Sequence, residues 1–145
     1  YTSDGYGHNF VFGLSSLVLG EFNLGFGLQT SAIGPKNISI GQRTYAGTLD
    51  TLYHPELDIG FNVALGYGTS AITDPAGHYI PSNGYFSDSS WRYGYNVAIG
   101  KEAFATFGYA LAFGESTSAI GSFNTSIGNR NYISGTFNTG IGYKL

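Results

Sequence analysis

Large apolar residues recur along this chain in a fixed relation to glycine. An apolar residue followed at once by Gly occurs at Phe12-Gly13, Leu19-Gly20, Phe26-Gly27, Ile33-Gly34 and Ile40-Gly41, five times at a spacing of seven. The pattern returns at Ile99-Gly100, Phe107-Gly108, Phe113-Gly114, Ile120-Gly121, Ile127-Gly128 and Ile141-Gly142; Ser134-Gly135 fills the missing rung, and the steps are 8, 6, 7, 7, 7 and 7. Weaker members at Tyr6-Gly7, Ala46-Gly47, Ile59-Gly60, Leu65-Gly66 and Tyr93-Gly94 place seventeen of the 23 glycines on one ladder. It is interrupted at residues 48–58 and 67–92, and the second interval holds the only Trp.

A period of seven also suits a coiled coil, but the chemistry opposes it. Gly costs ~1 kcal/mol at each helix-interior position, and the residues between the glycines are Thr, Ser, Asn, Phe and Ile instead of strong helix formers. A strand of four or five residues closed by a glycine, which turns the chain at no steric cost, fits the spacing. Two such units make a coil of about fourteen residues, and the class predicted is all-β, a single parallel β-solenoid over residues 1–145 with inserted loops near 48–58 and 67–92.

A small residue precedes most of the apolar rungs: Ala32, Ser39, Ala64, Ala98, Ala112, Ala119, Ser126 and Gly140, with Val11 and Val18 as larger exceptions. Neighbours along a strand point to opposite faces, so the large residue fills one side and the small one admits close approach on the other. That contact is with another wall of the coil or with another subunit. In such a stack every residue sits on its equivalent one coil away, so columns of like charge are disfavoured. Asn37, Asn62, Asn96, Asn124 and Asn138 each lie just ahead of a rung, where a left-handed turn residue is expected.

Asn96-Val97-Ala98-Ile99-Gly100, Thr117-Ser118-Ala119-Ile120-Gly121 and Asn124-Thr125-Ser126-Ile127-Gly128 resemble the head repeats of the YadA-like trimeric autotransporter adhesins; similar repeats occur in phage tail fibres. The resemblance covers residues 6–47 and 93–142. It implies a left-handed β-roll, packing as a homotrimer, and binding of host matrix or other surfaces. Aromatic rungs at Phe12, Phe26, Phe107 and Phe113 depart from the family's usual Ile or Val, and the family's neck, stalk and anchor segments are not in this sequence.

Composition narrows the function classes. The chain has 145 residues, of which 10% are charged, and a formal charge of −3. One domain is expected at this length. Six scattered basic residues make no footprint for a phosphate backbone, so nucleic acid is not expected as a partner. With no Cys there is neither a disulfide framework nor a thiolate metal site. No apolar stretch is long enough for a spanning helix, and no direct membrane insertion is expected. The sequence starts at Tyr1 and contains no Met, which suits a processed product or an excerpt.

Candidate chemistry is sparse. His8, His54 and His78 are far apart, and no catalytic or metal-binding motif spacing occurs; no enzyme activity, cofactor or metal is expected. His54-Pro55-Glu56-Leu57-Asp58 offers an imidazole and two carboxylates, read here as a turn between coils. The strongest recognition candidates are His78, Tyr79, Tyr85, Phe86, Trp91, Arg92 and Tyr93, since aromatics with Arg are the composition of interface hot spots and of carbohydrate-stacking surfaces. Asn37 and Asn124 open Asn-x-Ser sequences and are formal glycosylation acceptors.

The expected role is that of a structural or adhesive subunit of an extracellular fibre, located outside the cell, at its surface or on a virion. Its expected partners are itself, as a homotrimer or a head-to-tail filament joined through uncapped ends, and a host-surface protein or carbohydrate. The competing readings are a phage tail-fibre receptor-binding segment, an outer-membrane β-barrel segment and an ice-binding solenoid. A barrel needs strands of ~9 to 11 residues, longer than a glycine every seven allows. A solenoid enzyme needs a carboxylate cluster, and the nine acids are dispersed.

Overall fold

A computed structural model of the chain describes residues 8–34, 36–48, 61–73 and 95–145. Its odd-numbered strands β1 (Phe10–Leu14), β3 (Leu24–Leu28), β5 (Ile38–Gln42), β7 (Phe61–Tyr67), β9 (Tyr95–Lys101), β11 (Leu111–Glu115), β13 (Thr125–Asn129) and β15 (Thr139–Tyr143) lie side by side in one sheet of eight. The even-numbered strands β2 (Leu17–Leu19), β4 (Ser31–Ile33), β6 (Tyr45–Thr48), β8 (Ser70–Thr73), β10 (Phe104–Thr106), β12 (Ser118–Ile120) and β14 (Tyr132–Ser134) form a sheet of seven. Each odd strand and the even strand after it make one coil, so β1 and β2 are coil 1 and β15 opens coil 8. Every strand pair among the described residues is parallel, which is the predicted solenoid and not the antiparallel meander of a transmembrane barrel.

The register repeats every fourteen residues: Phe10 stands opposite Leu24, and Leu111 opposite Thr125. Two steps are longer. Ile38 pairs with Val63 and Val63 with Val97, steps of 25 and 34, which exceed a coil by 11 and 20 residues. Both excesses leave the seven-stranded sheet, after Thr48 and after Thr73, and return to the eight-stranded sheet at the next odd strand. Tyr67 and Ser70–Thr73 therefore belong to the roll, and the interruption expected from 67 begins later. Thr73, paired with Thr48, occupies the place that Gly takes in other coils, which hides this strand from the glycine pattern.

The inside of the roll is built from the small residues. Ala32, Ala46, Ala71, Ala105 and Ala119 from one sheet and Ser39, Ala64, Ala98, Ala112 and Ser126 from the other are fully buried. The coil is thin, and the large rungs point outward. Of the two contacts open at the sequence level for the small residues, the structure selects the opposite wall of the same coil.

The glycines divide into two groups. Gly20, Gly34, Gly121 and Gly135 follow strands of the seven-stranded sheet and sit at corners, as expected, with φ near +100°. Those of the eight-stranded sheet, such as Gly27 and Gly41, lie inside strands with φ near +135°. A Cβ on Gly27 would run into the carbonyl oxygen of Gly41 one coil away, so this column is required by backbone stacking, not by turning. The left-handed corner is made two residues later, by Ser15, Gln29, Arg43, Glu102, Ser116 and Arg130.

The asparagines are not left-handed either; that conformation belongs to the residue before them, as at Phe22, Lys36 and Phe123. Asn23, Asn37, Asn62, Asn96 and Asn124 are buried and form a column inside one corner. The backbone N–H of Asn37 donates to Asn23 Oδ1 at 2.7 Å, and Asn62 Nδ2 donates to Asn37 Oδ1 at 2.9 Å. Asn96 Nδ2 continues the chain to Asn62 Oδ1 at 3.0 Å. Asn62 thus has each end of its amide satisfied by its equivalent one coil away, while Asn23 and Asn37 donate Nδ2 to the backbone carbonyls of Leu19 and Ile33; both arrangements fix the axial register as well as the corner.

Candidate functional site

Because the small residues fill the coil, the large residues of the eight-stranded sheet are turned out to form a surface. One outward column runs Phe12, Phe26, Ile40, Leu65, Ile99, Phe113, Ile127 and Ile141. A second starts at Phe10 and Leu24, stays apolar to Leu111 and ends in Thr125 and Thr139. None of these sixteen positions carries a charge. Phe12, Phe26 and Phe113 are 61%, 46% and 49% exposed, far more than isolated surface apolar residues require. Phe12 and Phe26 stack at 5.2 Å.

Polar residues border this surface at the corner leading to the seven-stranded sheet. Lys101 and Glu115, register partners on β9 and β11, form an ion pair at 2.9 Å. The two charges of this column are opposite and adjacent, between Tyr67 and Asn129, so each is stacked on a partner and not on its like. The Lys101 hydrogen bond and charge hold the Glu115 carboxyl below its ordinary range, helped by Asn129 and Arg130, and Glu115 in turn raises Lys101.

The outer face of the seven-stranded sheet is different. Ser31, Ser70 and Ser118 alternate with Tyr45, Phe104 and Tyr132 along one column. Along the next, Ile33, Ile72 and Ile120 alternate with Gly47, Thr106 and Ser134. Large and small are out of phase, so the face fills its own gaps: Gly47 and Thr106 are buried, and burial pushes the Tyr45 phenol up. The uninterrupted apolar surface is on the eight-stranded sheet, and that sheet is the candidate site.

The chain matches no protein-family model, no curated protein and no solved structure.

His78, Tyr79, Tyr85, Phe86, Trp91, Arg92 and Tyr93 lie outside the described residues, as does the segment from His54 to Asp58. His8 is exposed, with its ring 5.7 Å from Phe22. Among the described residues no three of His, Cys, Asp and Glu come together as a metal group. Asn37 and Asn124 are fully buried, with their side-chain amides bonded to the backbone carbonyls of Ile33 and Ile120, so a glycan on either requires the corner to open. Thr30, Thr69 and Thr117, one coil or two apart, are buried, and Thr125 and Thr139 stand outward at one end of an otherwise apolar column, which is not the ordered threonine array of an ice-binding face.

Sequence reasoning missed one feature of the surface. Tyr95, Tyr109, Phe123 and Phe137, spaced by fourteen, form an aromatic column along the corner where the chain re-enters at Tyr95. Tyr109, Phe123 and Phe137 stack at 4.9 and 4.8 Å with their planes within 5°. Ring faces in this column are spent on one another, so it presents ring edges and not a platform on which a sugar lies flat. Their spacing of fourteen was the available signal, and each stands five residues ahead of a rung glycine, at Gly100, Gly114, Gly128 and Gly142.

Proposed function

We propose that this chain is a structural and adhesive module of an extracellular fibre, without enzymatic activity, that associates with further copies of itself through the outer face of the eight-stranded sheet. The observation that carries this reading is the uncharged double column from Phe10 and Phe12 to Leu111 and Phe113, turned outward and half-buried to exposed, over a core made mostly of Ala, Asn, Thr and Ser. A fold that buries its small residues and displays its large ones leaves much of its apolar surface unburied until another body covers it.

The magnitudes support a self-contact. Eight strands ~4.8 Å apart and five residues of ~3.3 Å each give a footprint of roughly 550 Å². Two copies packed face to face through it bury about 1,100 Å² in total, at the low end for a specific interface. A single charge buried in a contact of that size is enough to undo it. In this reading the module belongs at a cell or virion surface, and the polar corner is available to a host-surface protein or carbohydrate.

Light scattering coupled to size-exclusion chromatography tests the proposal. The unmodified chain is expected above its monomer mass of 15.4 kDa, and Ile40→Lys or Ile99→Lys at that mass with an unchanged β-sheet spectrum. A chain that is monomeric at every concentration overturns it.

A further inference from the structure

The chain has 12 tyrosines and neither Cys nor Met, so the sulfur side chains that oxidants ordinarily attack are absent and phenols are among the readiest groups left. In a parallel stack, side chains in register meet at the spacing of one coil, ~4.8 Å. Register therefore decides whether two phenols meet. Tyr45 stands between Ser31 and Ser70, and Tyr67 between Gln42 and Lys101. Tyr132 lies beside Ser118, and Tyr143 beside Asn129. Among the described residues only Tyr95 and Tyr109 are tyrosines placed one above the other in successive coils, with ring centroids 5.2 Å apart.

The pair is bounded on both sides. Phe61 is the register partner of Tyr95, and Phe123 stacks on Tyr109 at 4.9 Å. Neither carries a hydroxyl, so a phenoxyl radical on one tyrosine of the pair has a single phenol next to it in the column. The two tyrosine planes are inclined by 43°, whereas Tyr109 and Phe123 lie within 5° of parallel. Inclination brings one edge of each ring closer than the centroids, and the carbons ortho to the phenol oxygen are edge atoms. Both rings are about half exposed, so a reagent in solution reaches them and they keep freedom to turn.

From this we infer that Tyr95 and Tyr109 form a site of oxidative cross-linking, joined within one chain as dityrosine by a one-electron oxidant of the haem peroxidase and hydrogen peroxide class. Each phenol loses one electron and its hydroxyl proton, and the two phenoxyl radicals join through an ortho carbon of each ring. The hydrogen on each of those carbons then leaves as a proton while the oxygen takes one up, which restores both phenols. Two C–H bonds are replaced by one C–C bond, and the two hydrogens removed reduce one hydrogen peroxide to two waters. Because the fold holds the second phenol in place, coupling is unimolecular and outruns coupling between chains in dilute solution. The product closes a loop between residues 95 and 109, as a disulfide does in a chain that has cysteines. The site rests on the extracellular reading only for its oxidant.

Peroxidase and hydrogen peroxide, applied to the chain brought to monomer mass by dilution or by Ile99→Lys, test it. Trypsin cuts after Lys101 and so puts the two tyrosines in different peptides. The expected product, at monomer mass, is a joined peptide two hydrogens lighter than its parts, with fragmentation placing the link at Tyr95 and Tyr109. Tyr95→Phe and Tyr109→Phe, which put in the column the residue it already has at 61 and 123, are expected to fold and to lose the joined peptide, while Tyr93→Phe keeps it. The treated chain is expected to melt above the untreated one, and treated Tyr109→Phe is not. In urea, where the stack is gone, the yield is expected to fall to that of other tyrosine pairs. No joined peptide from the folded monomer, an equal yield in urea, or dityrosine only at twice the monomer mass overturns the site. Self-association is judged separately, by the mass of the untreated chain.

Discussion

Val18 and Gly25, seven residues apart on facing walls of the roll, share the space of a single large side chain. A Cβ on Gly25 would lie 2.7 Å from Val18 Cγ2. Elsewhere the facing residues are both small, as Ala32 with Ser39 and Ala105 with Ala112 are. The relationship recurs near the other end, where Gly140 faces Ile133 and a Cβ on it would meet Ile133 Cδ1. The coil has room for a fixed volume at each level, and the two walls divide it between them.

Gly25→Ala is therefore expected to destabilise the chain by ~1–3 kcal/mol through overpacking, since its backbone is not in the left-handed region and the clash with a stiff Val is the main penalty. Val18→Ala alone also destabilises. Combined, the two are expected to cost at least ~1 kcal/mol less than the sum of their separate effects. Urea unfolding of the four proteins checks this, and additive costs contradict the shared volume.

A stacked glycine has no such remedy. Gly100→Ala places a Cβ against the Gly114 carbonyl at φ +132°. The expected loss is ~3 kcal/mol or more, from strain and overpacking together. No second substitution recovers it, because the obstacle is backbone. Thermal unfolding measures it; a melting temperature close to that of the unmodified chain counts against the stacking argument.

The asparagine column predicts a cost out of proportion to side-chain size. Asn62→Ala removes three buried hydrogen bonds at one stroke, those with Asn37 Oδ1, Thr73 Oγ1 and Asn96 Nδ2, although Asn37 Oδ1 keeps the residue 62 backbone N–H and Asn96 Nδ2 keeps Ile72 O and Thr73 Oγ1. At a net ~1 kcal/mol per hydrogen bond, a loss of about 2–3 kcal/mol is expected in urea unfolding. A change below about 1 kcal/mol shows that the column is not structural.

Much of this was legible in the sequence, and the parts that were not have physical reasons. Period, parallel stacking and coil length follow from the glycine spacing, because no other regular structure needs a glycine every seven residues. Alternation places Ile99 and Ala98 on opposite faces but does not say which is inside, since both are apolar; the thinness of the coil decides for Ala98. Asn is a good left-handed residue in isolation, so its place before each rung suggested a turn. In the fold, hydrogen bonding between coils outweighs that preference, and Lys36 and Phe123 take the strained position instead. The ion pair of Lys101 with Glu115 was readable as two opposite charges fourteen residues apart, one coil length.

That pair gives the fold a pH dependence of definite sign. Glu115 is held below its ordinary value of 4.5 by Lys101, so its contribution is present above that value and is lost as pH falls through the lowered one. Lys101 is raised above 10.5 by Glu115, so its contribution is present below that value and is lost as pH rises through the raised one. The melting temperature of Glu115→Gln is expected to trail the unmodified chain at neutral pH and low salt, and to converge with it in acid or at high salt. A gap that persists in acid contradicts the electrostatic origin.

The chain has no cysteine, so single cysteines report the surface directly. The decisive measurement is maleimide labelling of Ala98→Cys, Ile99→Cys and Ser70→Cys in the folded protein over a range of concentrations. Ala98→Cys is predicted to stay unreactive and Ser70→Cys to react throughout, while Ile99→Cys is shielded when concentrated and becomes reactive on dilution. Ile99→Cys reacting as fast as Ser70→Cys at every concentration, or Ala98→Cys reacting like Ile99→Cys, contradicts the account.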